Sequence, residues 1–328
     1  MRKNWLAPVC GALAGLIAPG PASAVEAVNY AAAIPIWQAY EARLLSIGWR
    51  LARANAPLCQ RSPSAIGLML ADVHQFKEPD RARVALGISG DVIVEAVAAG
   101  SPAQAAGLRA GTQVLAIGGQ AVTALTNPNA KENAAADALH DRIDSLLAAS
   151  GNVTLRIAAP GQPPRDVTVV GEHACRARFA MLRSGTTAGT RGFTIEIAVQ
   201  LLAETPSDDE AATMLAHELA HNIFGHWQRT LATGRNNYLA TRQSEREADR
   251  MAPWLMANSG YDPAAAPRFF TAWGQRHGGG ITRAPTHDSW QDRVAAVTAE
   301  LPAIAAARQS SGGSLADWRT RFASRQAD

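Results

Sequence analysis

The stretch "ATMLAHELAHNIFGH" (residues 212–226) carries three of the chain's eight histidines and a glutamate. On a helix, residues four apart lie on one face, a turn above each other, so His217 and His221 point the same way. Glu218 is turned from His217 by about 100°, which sets it beside whatever the two imidazoles hold. This is the H-E-x-x-H pattern, two zinc ligands with a general base next to the metal. His226 faces away from His217 on a continuous helix and stands one position short of the third histidine of the longer H-E-x-x-H-x-x-G-x-x-H pattern. It reads as a partly exposed polar residue and not as a ligand.

The elements that must position these groups are legible nearby. Ser207 with Glu210 forms a capping box, Asp208 and Asp209 suit the positive end of the helix dipole, and Met214, Leu215, Leu219 and Ile223 supply an apolar side. Two histidines need a third protein ligand from elsewhere. The segment "SEREADRMAPWLMANSGYDP" (residues 244–263) offers one on a second helix that Gly260 and Pro263 end. Glu245 and Asp249 share a face there, so Glu245 can bind the metal while Asp249 accepts a hydrogen bond from the far nitrogen of a ligand histidine. Glu247, turned by about 200° from Glu245, points elsewhere, and Pro253 should kink the helix. Read alone, the same acids form a solvated face paired with Arg246 and Arg250. Upstream, "RGFTIEIAVQLL" reads as strand, with Thr194 to Val199 expected to offer its edge to a substrate backbone.

Together, "HELAH" and "EREAD", with "GYDP" and "THDSWQDR" after them, resemble the gluzincin metallopeptidases of the HtpX and CAAX prenyl protease type, above all their exported bacterial members, over roughly residues 190–300. The resemblance implies Zn2+ bound by His217, His221 and Glu245, Glu218 as the base, and His287 and Arg293 as further catalytic residues. Two features depart from that family. Its common "THP" is "THD" here, and its asparagine-alanine element is not recognisable in "SGTTAGTRG".

A second unit precedes this one. Short β-like runs alternate with Gly and Pro between about residues 85 and 172, and "AAGSPAQAAGLRAGTQVLAIGGQAV" resembles PDZ domains. Such a domain implies binding of peptide ends by strand addition, with "DALHDRIDSLLAAS" as the groove helix and "ALGIS" (residues 85–89) as the carboxylate loop. The expected fold class is α+β: a mainly helical zincin-type metallopeptidase domain with a small sheet over residues 173–308, plus the β-rich PDZ-like domain over 85–172. Residues 25–84, helical from Ile36 to Ala54, are expected to pack on the peptidase domain, and 309–328 to form a C-terminal tail.

The first residues read as a signal peptide (1–24) cleaved after Ala22-Ser23-Ala24; lipid attachment at Cys10 is the weaker alternative, because "APVC" is a poor lipobox. Export, most simply to a bacterial periplasm, leaves Cys59 and Cys175 as a pair expected to form a disulfide. The formal charge of +3 falls to +1 without Arg2 and Lys3, no basic run suggests nucleic acid, and no span is expected in the mature chain. The expected partners are unfolded or misfolded proteins, and peptide ends at the PDZ-like domain. Two alternatives stay open: a non-catalytic PDZ-like adaptor or chaperone on a peptidase scaffold, and a latent peptidase in which His287 latches the zinc.

Overall fold

The computed structural model describes residues 29–127, 134–233, 238–277, 287–313 and 315–322; the expected signal peptide and Cys10 lie outside them. Helix α1 (Tyr30–Asn55) starts where the Asn29 side chain accepts the N–H of Ala32, earlier than expected, with Pro35 inside it. Then come β1 (Ser64–Ala65), β2 (Leu68–Asp72), α2 (Pro79–Leu86), β3 (Val92–Val97), α3 (Pro102–Ala105), β4 (Gln113–Ile117), β5 (Gln120–Ala121), α4 (Ala134–Ser150), β6 (Asn152–Ala158), β7 (Arg165–Val170) and β8 (Glu172–His173). Strands β2-β3-β4-β6-β7 are neighbours in one antiparallel sheet, with β5 folded back on β4. Its core is Val- and Ile-rich and is closed by Leu139, Ile143 and Leu147 of α4.

This sheet corrects the boundary expected at residue 85. Its edge strand is β2, which pairs antiparallel with β3. All five residues of β2 are buried, so "LMLAD" lacks the alternation that marks a half-exposed strand.

The second half holds β9 (Arg178–Leu182), β10 (Ala188–Arg191), β11 (Thr194–Ala198), α5 (Val199–Ala203), α6 (Asp208–Ile223), α7 (His226–Thr233), α8 (Tyr238–Asn258), α9 (Ala265–His277) and α10 (Trp290–Ser310). Strands β10-β11-β9 form a three-stranded sheet, antiparallel between β10 and β11 and parallel between β11 and β9. Ile195 and Ile197 turn one face of β11 into a core shared with Leu215 and Leu219 of α6, Met251 and Leu255 of α8, and Leu44 and Leu51 of α1. Because β11 is paired on both sides, Thr194–Val199 cannot offer a free edge. The edge strand next to α6 is β10.

Helix α1 is a wall common to both halves, since the same core takes in Met69, Ala96 and Ala98 from the first sheet. In that seam Glu41 of α1 and Glu95 of β3 are 5% and 1% exposed, close enough to interact with each other and with Gln38 and Arg183. Burial, and after it the charge of Glu95, pushes the Glu41 pKa up to about 10. Glu41 therefore stays protonated and can share its proton with Glu95. Beyond the seam, a disulfide joins Cys59 to Cys175, 116 residues apart, with Cα atoms at 5.6 Å.

The last described residues pack without regular structure. "LADWRTRFASR" forms no helix among the described residues, yet Trp318 and Phe322 are buried in the α6–α8 core. Ala316 exchanges hydrogen bonds with Asn258, and Arg321 joins Arg250 on buried Glu300. Residues 315–322 belong to the fold.

Candidate metal centre

Helix α6 starts as its sequence dictates: Ser207 Oγ accepts the Glu210 N–H at 3.2 Å. Two turns further on, His217 and His221 come out on one face, Nε2 to Nε2 at 3.2 Å. Helix α8 crosses this face and brings Glu245 with it. Glu245 Oε2 lies 3.2 Å from His217 Nε2, and Oε1 lies 3.7 Å from His221 Nε2. The three residues present one ligand atom each within 4.8 Å of one another, the separation at which a single metal ion can be held.

The neighbouring acids and histidines shift one another's charges. Burial alone would push His217 down, but the hydrogen bonds and charges of Asp249 and Glu245 hold it up at about 10. Burial would raise Glu245, and its bonds to His217, His221 and His287 pull it far below the usual carboxylate range.

Asp249 stands directly behind His217, Oδ1 2.9 Å from Nδ1, at an angle short of a regular hydrogen bond. Arg293 differs from its expected catalytic place. Its Nε and Nη2 donate to the two Asp249 oxygens at 2.8 and 2.6 Å, and its guanidinium lies over the Phe270 ring. It therefore supports the carboxylate behind His217 and does not face the open side. His287 does face the site, with Nε2 2.8 Å from Glu245 Oε2 and a side chain 35% exposed. It does not cap the following helix; Ser289 does, accepting the Asp292 N–H.

Glu218 sits beside the metal-binding group, and its Oε2 accepts a hydrogen bond from Thr190 Oγ1 of β10 at 2.9 Å. Thr190 carries no signal in sequence, because its meaning depends on the sheet that lies over α6. The Ala198 N–H to Thr187 carbonyl bond sets the β10–β11 register. By strand alternation Ala188 and Thr190 then aim their main-chain groups away from β11, at the edge near Glu218.

Two more residues were missed. His226 is buried and not exposed, with Nδ1 2.8 Å from His221 Nδ1, and Glu247 lies 3.2 Å from His226 Nε2. The helix-wheel reading failed because α6 ends before His226: Gly225 takes a left-handed φ of 64° and His226 starts a new helix, α7.

In the first half, a cleft of about 440 Å³ runs between β2 and α4 and is also lined by β9, Arg191 and Glu196. Residues 85–89, expected as a carboxylate loop, do not line it; Ile66 and Gly67 do. His140 of α4 reaches across and accepts the Leu70 N–H of β2 at 3.3 Å.

Residues 93–131 match the PDZ domain family. No curated protein and no solved structure matches the chain. Among the described residues, no helix is long and apolar enough to cross a membrane.

Proposed function

We propose that this chain is a zinc-dependent endopeptidase of the cell envelope, exported to a periplasm, that acts on unfolded or damaged exported proteins. The observation that carries the reading is the convergence of His217, His221 and Glu245 with Glu218 alongside and a strand edge above it. The donor set suits zinc. A tetrahedral ion with bonds of about 2.0–2.1 Å separates its ligand atoms by about 3.3 Å, close to the 3.2, 3.2 and 3.7 Å measured between the three side chains. The gluzincin resemblance of "HELAH" and "EREAD" points the same way.

A zinc ion in such a set supplies a Lewis acid and a water acidified towards a pKa of about 7. The chain's residues do the rest. Thr190 fixes one oxygen of the Glu218 carboxylate, leaving the other to take a proton from the attacking water and deliver it to the leaving amine. Ala188 and Thr190 of β10 align an extended substrate by main-chain pairing. His287, at the rim, stabilises the developing charge on the scissile carbonyl oxygen. The PDZ domain recruits polypeptide ends.

The test is cleavage of an unfolded protein by the purified chain with zinc, with chelator, and with Glu218→Gln. Cleavage that needs zinc and disappears in the variant supports the peptidase. A zinc-loaded, folded chain that cuts nothing refutes a constitutive enzyme and leaves the adaptor reading or latency. Latency has its own observation, since His287 already lies 2.8 Å from Glu245 and is placed to hold the substrate position shut. Under that reading His287→Ala raises cleavage above wild type.

A further inference from the structure

We infer that His226 and Glu247 are positioning residues for His221, a second orienting arm that matches the one Asp249 and Arg293 give His217. This rests on reading the centre as a zinc site, and it assigns roles to two buried groups that the proposed reaction does not otherwise use.

The argument starts from protons. Glu247 faces donors on both oxygens, Gln243 Nε2 on Oε1 and Arg229 Nη2 at 3.8 Å from Oε2, so it stands as an acceptor, and its Oε2, 3.2 Å from His226 Nε2, places the ring proton of His226 on Nε2. With one proton on the ring, Nδ1 of His226 is bare. It lies 2.8 Å from Nδ1 of His221 and must accept. The proton of His221 then sits on Nδ1, and its Nε2 lone pair is presented towards His217 and Glu245, where the ion belongs. One direction of donation, His221 to His226 to Glu247, therefore fixes the tautomer a metal ligand needs.

The arm is itself held. Gln243 Nε2 donates to Glu247 Oε1 at 3.1 Å, and His226 and Glu247 are 5% and 7% exposed. The ring of Phe224 stacks on His226, centroids 5.4 Å apart. All three acids of the "EREAD" segment thus serve the centre: Glu245 as ligand, Asp249 behind one histidine, and Glu247 behind the other through His226. Because the imidazole intervenes, Glu247 reaches the second histidine from a direction in which its carboxylate could not touch the metal.

Two measurements on the full chain test this. The first is zinc affinity by competition with a chromophoric chelator, for wild type, His226→Phe and His226→Asn. Phe removes the acceptor and should weaken binding about 10- to 100-fold. Asn keeps an acceptor near the Nδ1 position and should recover most of the loss, which a merely space-filling role would not produce. The second is the nitrogen chemical shifts of the histidine rings in the zinc-loaded wild type. They should report an Nε2-protonated His226 and an Nδ1-protonated His221, and this reading stands even where the Phe variant fails to fold. If wild type binds zinc but Phe binds it within about twofold, or the ring protons are reversed, the arm is refuted and the metal reading survives. A folded wild type without zinc affinity removes both.

Discussion

Replacing Glu41 by Gln should stabilise the protein, and more so as pH rises. The folded-state pKa of Glu41 is pushed up to about 10 from an ordinary 4.5, by burial first and by Glu95 second. Between these values the folded chain holds a proton that the unfolded chain has lost. The raised carboxyl therefore costs nothing below pH 4.5, and stability falls as pH climbs towards 10, by about 1.4 kcal/mol per unit. From pH 6 to pH 8 the loss is on the order of 3 kcal/mol, a large share of a typical folding free energy. Glutamine is neutral at every pH, fits the same space and keeps a donor for Glu95. The Gln variant should be more stable by about 3 kcal/mol at pH 7, less whatever water enters the seam. Urea unfolding followed by tryptophan fluorescence at pH 6, 7 and 8, with the disulfide intact, measures both slopes. Equal slopes for the two proteins, or a Gln variant less stable than wild type at pH 8, would refute the buried protonated acid.

Three further outcomes follow from geometry already given. Replacing Cys59 and Cys175 by Ser opens a loop of 116 residues and should lower stability by about 4 to 5 kcal/mol in the chain-entropy view; chemical denaturation of the variant against the oxidised protein checks it. Gly48→Ala drives a methyl group into the Phe179 ring, between α1 and β9, and should cost about 1–3 kcal/mol, read as a lower urea midpoint. Thr190→Val removes the hydroxyl that holds Glu218 and should cut kcat about tenfold while zinc affinity stays constant; an unchanged kcat in an active enzyme would show that Glu218 needs no such support.

How much of this the chain announces depends on how local the cause is. His217, His221 and Glu218 declare themselves because i, i+1 and i+4 have fixed angles on a helix, and Ser207 with Glu210 marks where that helix starts. Glu245 and Asp249 declare themselves by the same four-residue step. His226 does not, since a single left-handed Gly225 changes its direction by more than any wheel projection allows. Thr190 and the β10 edge depend on strand order, which Thr194–Val199 alone does not reveal. The early start of the first sheet is hidden because β2 is buried on both faces. The tail is hidden for a different reason: Trp318 and Phe322 dock without regular structure, so no periodicity announces them.

The three-stranded sheet also acts as a partition. Ile195, Ile197 and Thr190 look towards α6 and the metal-binding group, whereas Arg191, Thr194 and Glu196 look into the cleft that β2 and α4 line. Under the proposed reading, a polypeptide anchored in the cleft and cut at the centre has to travel around β10. Sheet layers stand about 10 Å apart and an extended residue covers about 3.3–3.6 Å, so passing from one side to the other takes at least about three residues. Under the proposed reading the two sites together form a ruler: anchoring selects chains by length before the chemistry selects a bond, and peptides shorter than that span should occupy the anchor without meeting Glu218.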